Sequence, residues 1–138
     1  MAERKIHITE FDRARLEELL AVAGEFGGRD RGDLEALAEE LGRAEIVSSR
    51  AVPADVVTMN SKVVLRDLDN DETMTWVLVF PKDADVDAGR ISVLAPMGTS
   101  ILGYACGDVI EWPVPSGTRR IRIEQVLYQP EAAGDFHL

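Results

Sequence analysis

The stretch "ISVLAPMGTSILGYACGDVIEWPVPSG", residues 91–117, holds four glycines, three prolines and one cysteine, but no histidine, no lysine and only two carboxylates. So many backbone constraints beside so little reactive chemistry point to a segment built for shape. Ile91-Ser92-Val93 alternates like a strand, and Pro96 fixes a turn. The run 97–107 places Ile101, Leu102, Ala105 and Cys106 at spacings that suit a helix of about two turns stopped by Gly107. Residues 108–112 form the next strand, and "VPSG" (114–117) turns tightly into the last one.

Outward from that stretch, the two-residue period continues. Strands are expected at 56–58, 62–67, 73–80, 91–94, 108–112 and 119–128. "DLDNDE" (67–72) is dense in turn formers between two β-rich runs and reads as a hairpin. Toward the N-terminus the period changes. Residues 6–8 are a short extended piece, and Thr9 then caps a helix, with Asp12 in the fourth position of a weak capping box. Leu16, Leu19, Leu20 and Ala23 form one apolar stripe. The glycine-rich turn "GEFGGRDRGD" (24–33) follows, and Asp33 is expected to cap a second helix with Leu34, Leu37, Leu41 and Ala44 on one face. Two short amphipathic helices joined this way read as an antiparallel hairpin over 9–46, too short to be stable alone.

The fold class is therefore α+β: an N-terminal antiparallel two-helix hairpin and a C-terminal antiparallel sheet crossed by one short helix. The division falls at 1–50 for the hairpin and 51–138 for the sheet domain, with "SSRAVPAD" (48–55) as the hinge.

With 138 residues, 46% of them apolar, the chain can bury one real core. Its formal charge of −10 repels phosphate backbones, and Arg119, Arg120 and Arg122 are its one basic cluster. A solvated strand end accounts for that cluster, so no direct nucleic-acid binding is expected. An acidic chain suits a basic patch on another protein. A single cysteine excludes an internal disulfide, and the N-terminal residues lack the apolar run of a signal peptide. No stretch is long and apolar enough for a membrane span, so a cytoplasmic protein without membrane contact is expected.

The candidate chemistry is sparse. Asp83, Asp85 and Asp87 alternate as in a calcium loop, but the required glycine and glutamate positions hold Ala88 and Leu94. His7 and His137 lie at opposite ends, and Cys106, placed in a buried helix, lacks a base. No phosphate-binding glycine string exists. No metal, cofactor or catalytic residue is expected, and the chain reads as a non-enzyme. Glu25, Asp30 and Asp33 sit at the hairpin tip, where exposed carboxylates could coordinate a cation inside a partner or merely cap and solvate the turn.

"ISVLAPMGTSILGYACGDVIEW" resembles the C-terminal domain of the bacterial Gre transcript-cleavage factors. In these an I-S-V strand runs into a Ser-Pro turn, a short helix with L-x-G, an acidic residue opening a strand, and a P-x-G hairpin. Ile91-Ser92-Val93, Pro96, Leu102-Gly103, Asp108 and Pro115-Ser116-Gly117 stand at those places. "VVTMNSKVVLRDLDNDE" (56–72), "ELGRAEIV" (40–47) and "YQPEAAGDF" (128–136) bring the chain closer to the short-armed branch of that superfamily, the regulators of nucleoside diphosphate kinase.

The resemblance implies an FKBP-like C-terminal domain that docks on RNA polymerase at the secondary-channel rim. A coiled-coil arm would point into that channel. In long-armed members, tip carboxylates help hold a catalytic Mg²⁺ and stimulate cleavage of backtracked RNA. A helix of about fourteen residues spans only ~20 Å, about half the arm that the family implies. Glu25, Asp30 and Asp33 would stop short of the active site, so the expected activity is docking in competition with longer factors, without cleavage. By position, the docking residues are Leu94, Ala95, Pro96 and Met97, where Gre factors commonly carry a polar residue and a serine before the proline. The branch name also raises nucleoside diphosphate kinase as a direct partner. An FKBP-like fold further raises prolyl isomerisation, which needs an aromatic-lined pocket; aromatics are 6% of this chain and scattered.

Overall fold

A computed structural model describes residues 6–25, 31–114 and 117–135. Strand β1 (His7–Thr9) leads directly into helix α1 (Glu10–Glu25). The Thr9 Oγ1 accepts a 3.0 Å hydrogen bond from the Asp12 N–H, the N-cap expected at that position. The Asp12 carboxylate does not return the bond to the cap, however. It is fully buried and turned toward the sheet domain.

Helix α2 (Arg31–Arg43) follows and ends in strand β2 (Glu45–Val47). It starts two residues before Asp33, so Asp33 lies in its first turn and not at its cap. Each helix reaches further into the glycine-rich stretch than its composition suggests, α1 to Glu25 and α2 from Arg31. A pairing that the period-based reading missed closes this unit. β1 and β2 run parallel, with Ile8 opposite Ile46, and His7 Nε2 lies 3.0 Å from a Glu45 carboxylate oxygen.

The main sheet has five strands: β3 (Lys62–Asp67), β4 (Thr73–Val79), β5 (Arg90–Ser92), β6 (Val109–Val114) and β7 (Gly117–Tyr128), in the order β5-β4-β3-β7-β6. Alternation drives it. Val63 and Leu65 of β3 and Ile121 and Ile123 of β7 face the core, while Arg120 and Arg122 of β7 lie on the opposite face. The expected antiparallel arrangement holds for β3, β4, β6 and β7 but fails at one edge, because β5 pairs with β4 in parallel. The 81–90 segment carries the chain back along β4 through two 3₁₀ turns, Pro81–Asp83 and Val86–Ala88, instead of reversing it in a hairpin. Residues 56–58 form no strand, only a bridge between Val56 and Ala105.

Helix α3 (Pro96–Ile101) is shorter than its apolar spacing suggested, and a one-turn helix α4 (Pro130–Ala133) follows β7. Cys106 therefore lies in an exposed turn past α3, its Sγ 3.0 Å from the Glu124 carbonyl oxygen, and not in a buried helix.

One buried cluster unites the two parts of the chain. Ile6, Ile8, Leu16 and Leu37 join Val57, Met59, Val63, Leu65, Leu78, Ile101, Leu102, Ile121 and Ile123. Each fully buried aliphatic side chain contributes about 1.5–3 kcal/mol, which explains how so short a helix pair is held. Gly103 marks the seam. Its φ is +84°, and a Cβ there would lie 2.8 Å from the Ile6 Cβ. Its carbonyl accepts from the His7 N–H at 3.1 Å and its N–H donates to Val57 at 2.9 Å. Only glycine fits this approach.

Candidate functional site

The turn after β5 is braced from within. The Ser92 carbonyl accepts from the Ala95 N–H at 3.0 Å, and Ser92 Oγ accepts from the Leu94 N–H at 3.0 Å. Pro96 occupies the first turn of α3, where its missing N–H costs nothing. Thr99 then reaches back: its Oγ1 donates to the Val93 carbonyl at 2.6 Å and its N–H to Ala95 at 2.9 Å. Gly98 packs flat on this loop, since a Cβ would fall 2.1 Å from the Ser92 oxygen. The result is a rigid knuckle in which Leu94, Ala95 and Met97 are half-buried, each packed on the core from one side. Four residues read as a contact surface thus lie in one braced turn.

The tip acids are placed only through their elements. Glu25 closes α1 and Asp33 lies in the first turn of α2, whereas Asp30 lies outside the described residues. Among the described residues no three His, Cys, Asp or Glu side chains group as metal ligands. Asp85 is used locally, its carboxylate accepting from the N–H groups of Asp87 and Ala88. His137 lies outside the described residues.

The basic cluster is engaged internally. Arg119 pairs with the buried Asp67, and Arg120 with Asp69 at 3.3 Å. Arg122 and Arg66 both grip Glu124, each with an Nε at 2.8 Å. The Arg122 hydrogen bond holds the Glu124 carboxyl below its ordinary range, and the Arg120 N–H does the same for Asp69. These arginines therefore act as clasps between β3, β7 and the 67–72 turn.

Three polar ties that periodicity could not find hold the helices and the loop before β3 to the base. Asp12 accepts from the Met59 N–H at 3.0 Å and pairs with Arg15. Burial, against the Met59 and Arg15 bonds, pushes its carboxyl up to about 6. Arg43 of α2 donates to the Tyr104 hydroxyl at 2.5 Å. In the closing segment, Gln129 Nε2 donates to the Pro53 and Val56 carbonyls, both at 2.7 Å, and Glu131 accepts from Thr58 Oγ1 at 2.7 Å. The "YQPEAAGD" run is thus a clamp on residues 53–58, and the second half of the expected hinge is fastened down. Its signal was a buried-type glutamine and glutamate beside a proline, which has no meaning until the partner loop is known.

A groove of about 500 Å³ runs between α1 and the turn after β4, lined by Arg15, Glu18, Leu19, Phe80, Pro81 and Lys82. Arg15 stacks on Phe11 and Phe80, its guanidinium carbon 3.9 and 4.9 Å from the ring centroids. No helix among the described residues is long and apolar enough to cross a membrane.

Comparison with known proteins gives two family matches. Residues 52–128 match the family described as "Transcription elongation factor, GreA/GreB, C-term", and residues 4–47 match "Rnk N-terminus". The chain is 38% identical over 139 residues to the "Regulator of nucleoside diphosphate kinase" of Escherichia coli (strain K12), covering all of both chains. It is 33% identical over 151 residues to the "Transcription elongation factor GreA" of Desulfotalea psychrophila, covering 99% of this chain and 91% of that one. Among solved structures, the "Prokaryotic transcription elongation factor GreA/GreB from Nitrosomonas europaea" superposes with a TM-score of 0.73 at 43% identity, over 91% of this chain and 100% of that one.

Proposed function

The chain belongs to the GreA/GreB transcription elongation factor family, and from its short helix pair we propose that it is a non-enzymatic regulator that docks on RNA polymerase at the secondary-channel rim and competes there with longer Gre-type factors without stimulating transcript cleavage. The helix pair is read as a stubby antiparallel arm, the sheet as an FKBP-like base, and the Leu94–Met97 knuckle as the docking turn. Such a protein would work in the cytoplasm.

The observation that carries this reading is reach. At 1.5 Å per residue, the 16 residues of α1 and 13 of α2 make helices about 24 and 20 Å long. Leu16 and Leu37 already lie in the common core, and Leu19, Leu20 and Leu41 pack against it. The arm's reach beyond the base is accordingly shorter than either helix. Carboxylates at its end, such as Glu25 and Asp33, would fall short of a catalytic Mg²⁺ that helices twice as long would be needed to meet, and the same is proposed for Asp30. A shape-braced, chemically plain knuckle also suits contact better than catalysis.

The test uses backtracked elongation complexes of purified polymerase. The protein should bind the polymerase, leave intrinsic RNA cleavage unchanged and reduce cleavage driven by a long-armed Gre factor as its concentration rises. Stimulated cleavage by the protein itself would overturn the reach argument. A second reading, direct binding to nucleoside diphosphate kinase, is favoured only by the name of the Escherichia coli relative. A pulldown offering both polymerase and the kinase separates the two: capture of the kinase alone would replace the polymerase reading.

A further inference from the structure

The main sheet is covered on its core side. Helix α3 lies there, where a Cβ at Gly98 would fall 3.2 Å from Leu78 Cδ1, and Leu16 and Leu37 of the arm join the same core. On the opposite side the register aligns Arg90 of β5, Val77 of β4 and Lys62 of β3 in one row, with Thr75 and Val64 in the next. Arg90, Lys62 and Thr75 are exposed there, and the two valines are half-buried. We propose that this open face is a self-association surface that receives helix α2 of a second copy of this chain. The inference stands apart from the docking reading, which concerns only the knuckle.

Charge is the first support. The carboxylates around this face already have partners. Glu124 lies between Arg66 and Arg122, Asp71 pairs with Arg66, Asp69 with Arg120, and Asp135 accepts from the Tyr128 hydroxyl. Glu111 stands opposite Arg120 at the far edge, and Asp85, bridged to Arg90 through the backbone, uses its carboxylate on the Asp87 and Ala88 N–H groups. Arg90 and Lys62 are left without an ion pair among the described residues. Two strand spacings separate them, roughly 10 Å. On α2, Glu35 and Glu39 are exposed, also without an ion pair among the described residues, and lie one helical turn apart, about 6 Å. Like charges repel within each set, so cations meeting carboxylates relieve both.

Shape is the second. Ala38 and Gly42 continue the stripe of Glu35 and Glu39 at helical spacing, and a Cβ at Gly42 would meet nothing within 4 Å. Such a face lets the α2 backbone approach a flat surface, and the β-branched Val64, Thr75 and Val77 provide one.

A 13-residue helix laid there covers less than the ~800 Å² per partner of a stable interface, so the association is reversible and rises with concentration. Two chains of charge −10 repel at long range, but that field is screened beyond about 8 Å at physiological salt. The matched pairs act inside that distance.

The test is sedimentation equilibrium of the full chain at rising concentration. The wild type should associate reversibly. Lys62→Glu with Arg90→Glu, which makes the face acidic, should weaken association about tenfold or more, ~1.4 kcal/mol at the least. Glu35→Lys with Glu39→Lys should do the same, although it moves the net charge toward zero and so lowers the long-range repulsion. An equimolar mixture of the two double variants should associate again, because a basic arm then meets an acidic face. A wild type that stays monomeric overturns the inference, as does association that survives either reversal or a mixture that stays apart. All four positions are exposed, so each variant should melt like the wild type. Should either double variant melt early, Arg90→Glu and Glu39→Lys as single variants decide by the same comparison.

Discussion

The carboxylate of Asp12, in the first turn of α1, accepts a 3.0 Å hydrogen bond from the backbone N–H of Met59, 47 residues along the chain. That bond joins the root of the helix pair to the loop feeding the central strand β3. It also places a carboxyl group in a fully buried position, close to the buried Glu131.

A pH dependence follows from that position. Burial raises the Asp12 carboxyl from 3.8 to about 6. The folded state then holds this proton more tightly than the unfolded chain, so the stability linked to the group is complete below about pH 4 and is lost as pH rises through 6. Two units correspond to roughly 3 kcal/mol. Asp69 and Glu124, whose carboxyls are held low, act in the opposite sense as pH falls. Denaturant unfolding at several pH values should show the difference between wild type and Asp12→Asn changing across pH 4–6. A constant difference would show that Asp12 titrates normally.

The knuckle should tolerate no side chain at Gly98. A Cβ 2.1 Å from the Ser92 oxygen forces the turn apart, and Gly98→Ala should cost about 1–3 kcal/mol or more by thermal unfolding. Gly42, near the end of α2 with open space around it, should behave oppositely. Gly42→Ala should stabilise by about 0.5–1 kcal/mol through helix propensity.

Removing the clamp should be costly for a different reason. Gln129→Ala leaves the buried contacts to the Pro53 and Val56 carbonyls and the Ala132 N–H unmade. Orphaned buried groups at about 1–3 kcal/mol each predict a loss of at least 2 kcal/mol in denaturant unfolding. Gln129→Glu should not rescue it, because a carboxylate cannot donate to either carbonyl.

Tyr128 donates its hydroxyl to Asp135 at 2.5 Å, and that bond pushes the phenol up to about 12. The chain has two tyrosines, so an ultraviolet titration should resolve this one. Asp135→Asn should return its transition toward pH 10. Since the folded phenol holds its proton more tightly, the linked stability is present below pH 10 and is lost as pH rises to 12. An unchanged titration in the variant would place the cause elsewhere.

Legibility in the sequence tracked the range of the contacts. The hairpin of β3 and β4 was readable because "KVVLRD" and "TMTWVLV" alternate about a turn whose residues bond to one another: Asp67 accepts from the Asp69 N–H and Asn70 from the Glu72 N–H. Thr9 as a cap and the leucine stripes of both helices were local in the same sense. The parallel pairing of β1 with β2 was not readable, since three-residue strands carry too little periodicity and their partners lie across two helices. The parallel edge at β5 depended on the path of the 81–90 loop, and Cys106 was misplaced because α3 stops at Ile101, which leaves the thiol neither helical nor buried.

The amino-acid sequence alone determined the family and the alternation that builds the sheet. It also determined the proline and glycines that shape the 94–98 turn and the shortness of the helices, because each is written in neighbouring residues. Only the tertiary structure decided that Asp12 is buried against Met59, that Gln129 holds residues 53–56, and that Arg15 lies on two rings above a groove. Those features exist only when segments 47 to 76 residues apart in the chain are brought together, and burial, not residue type, gives their charges and hydrogen bonds their energy.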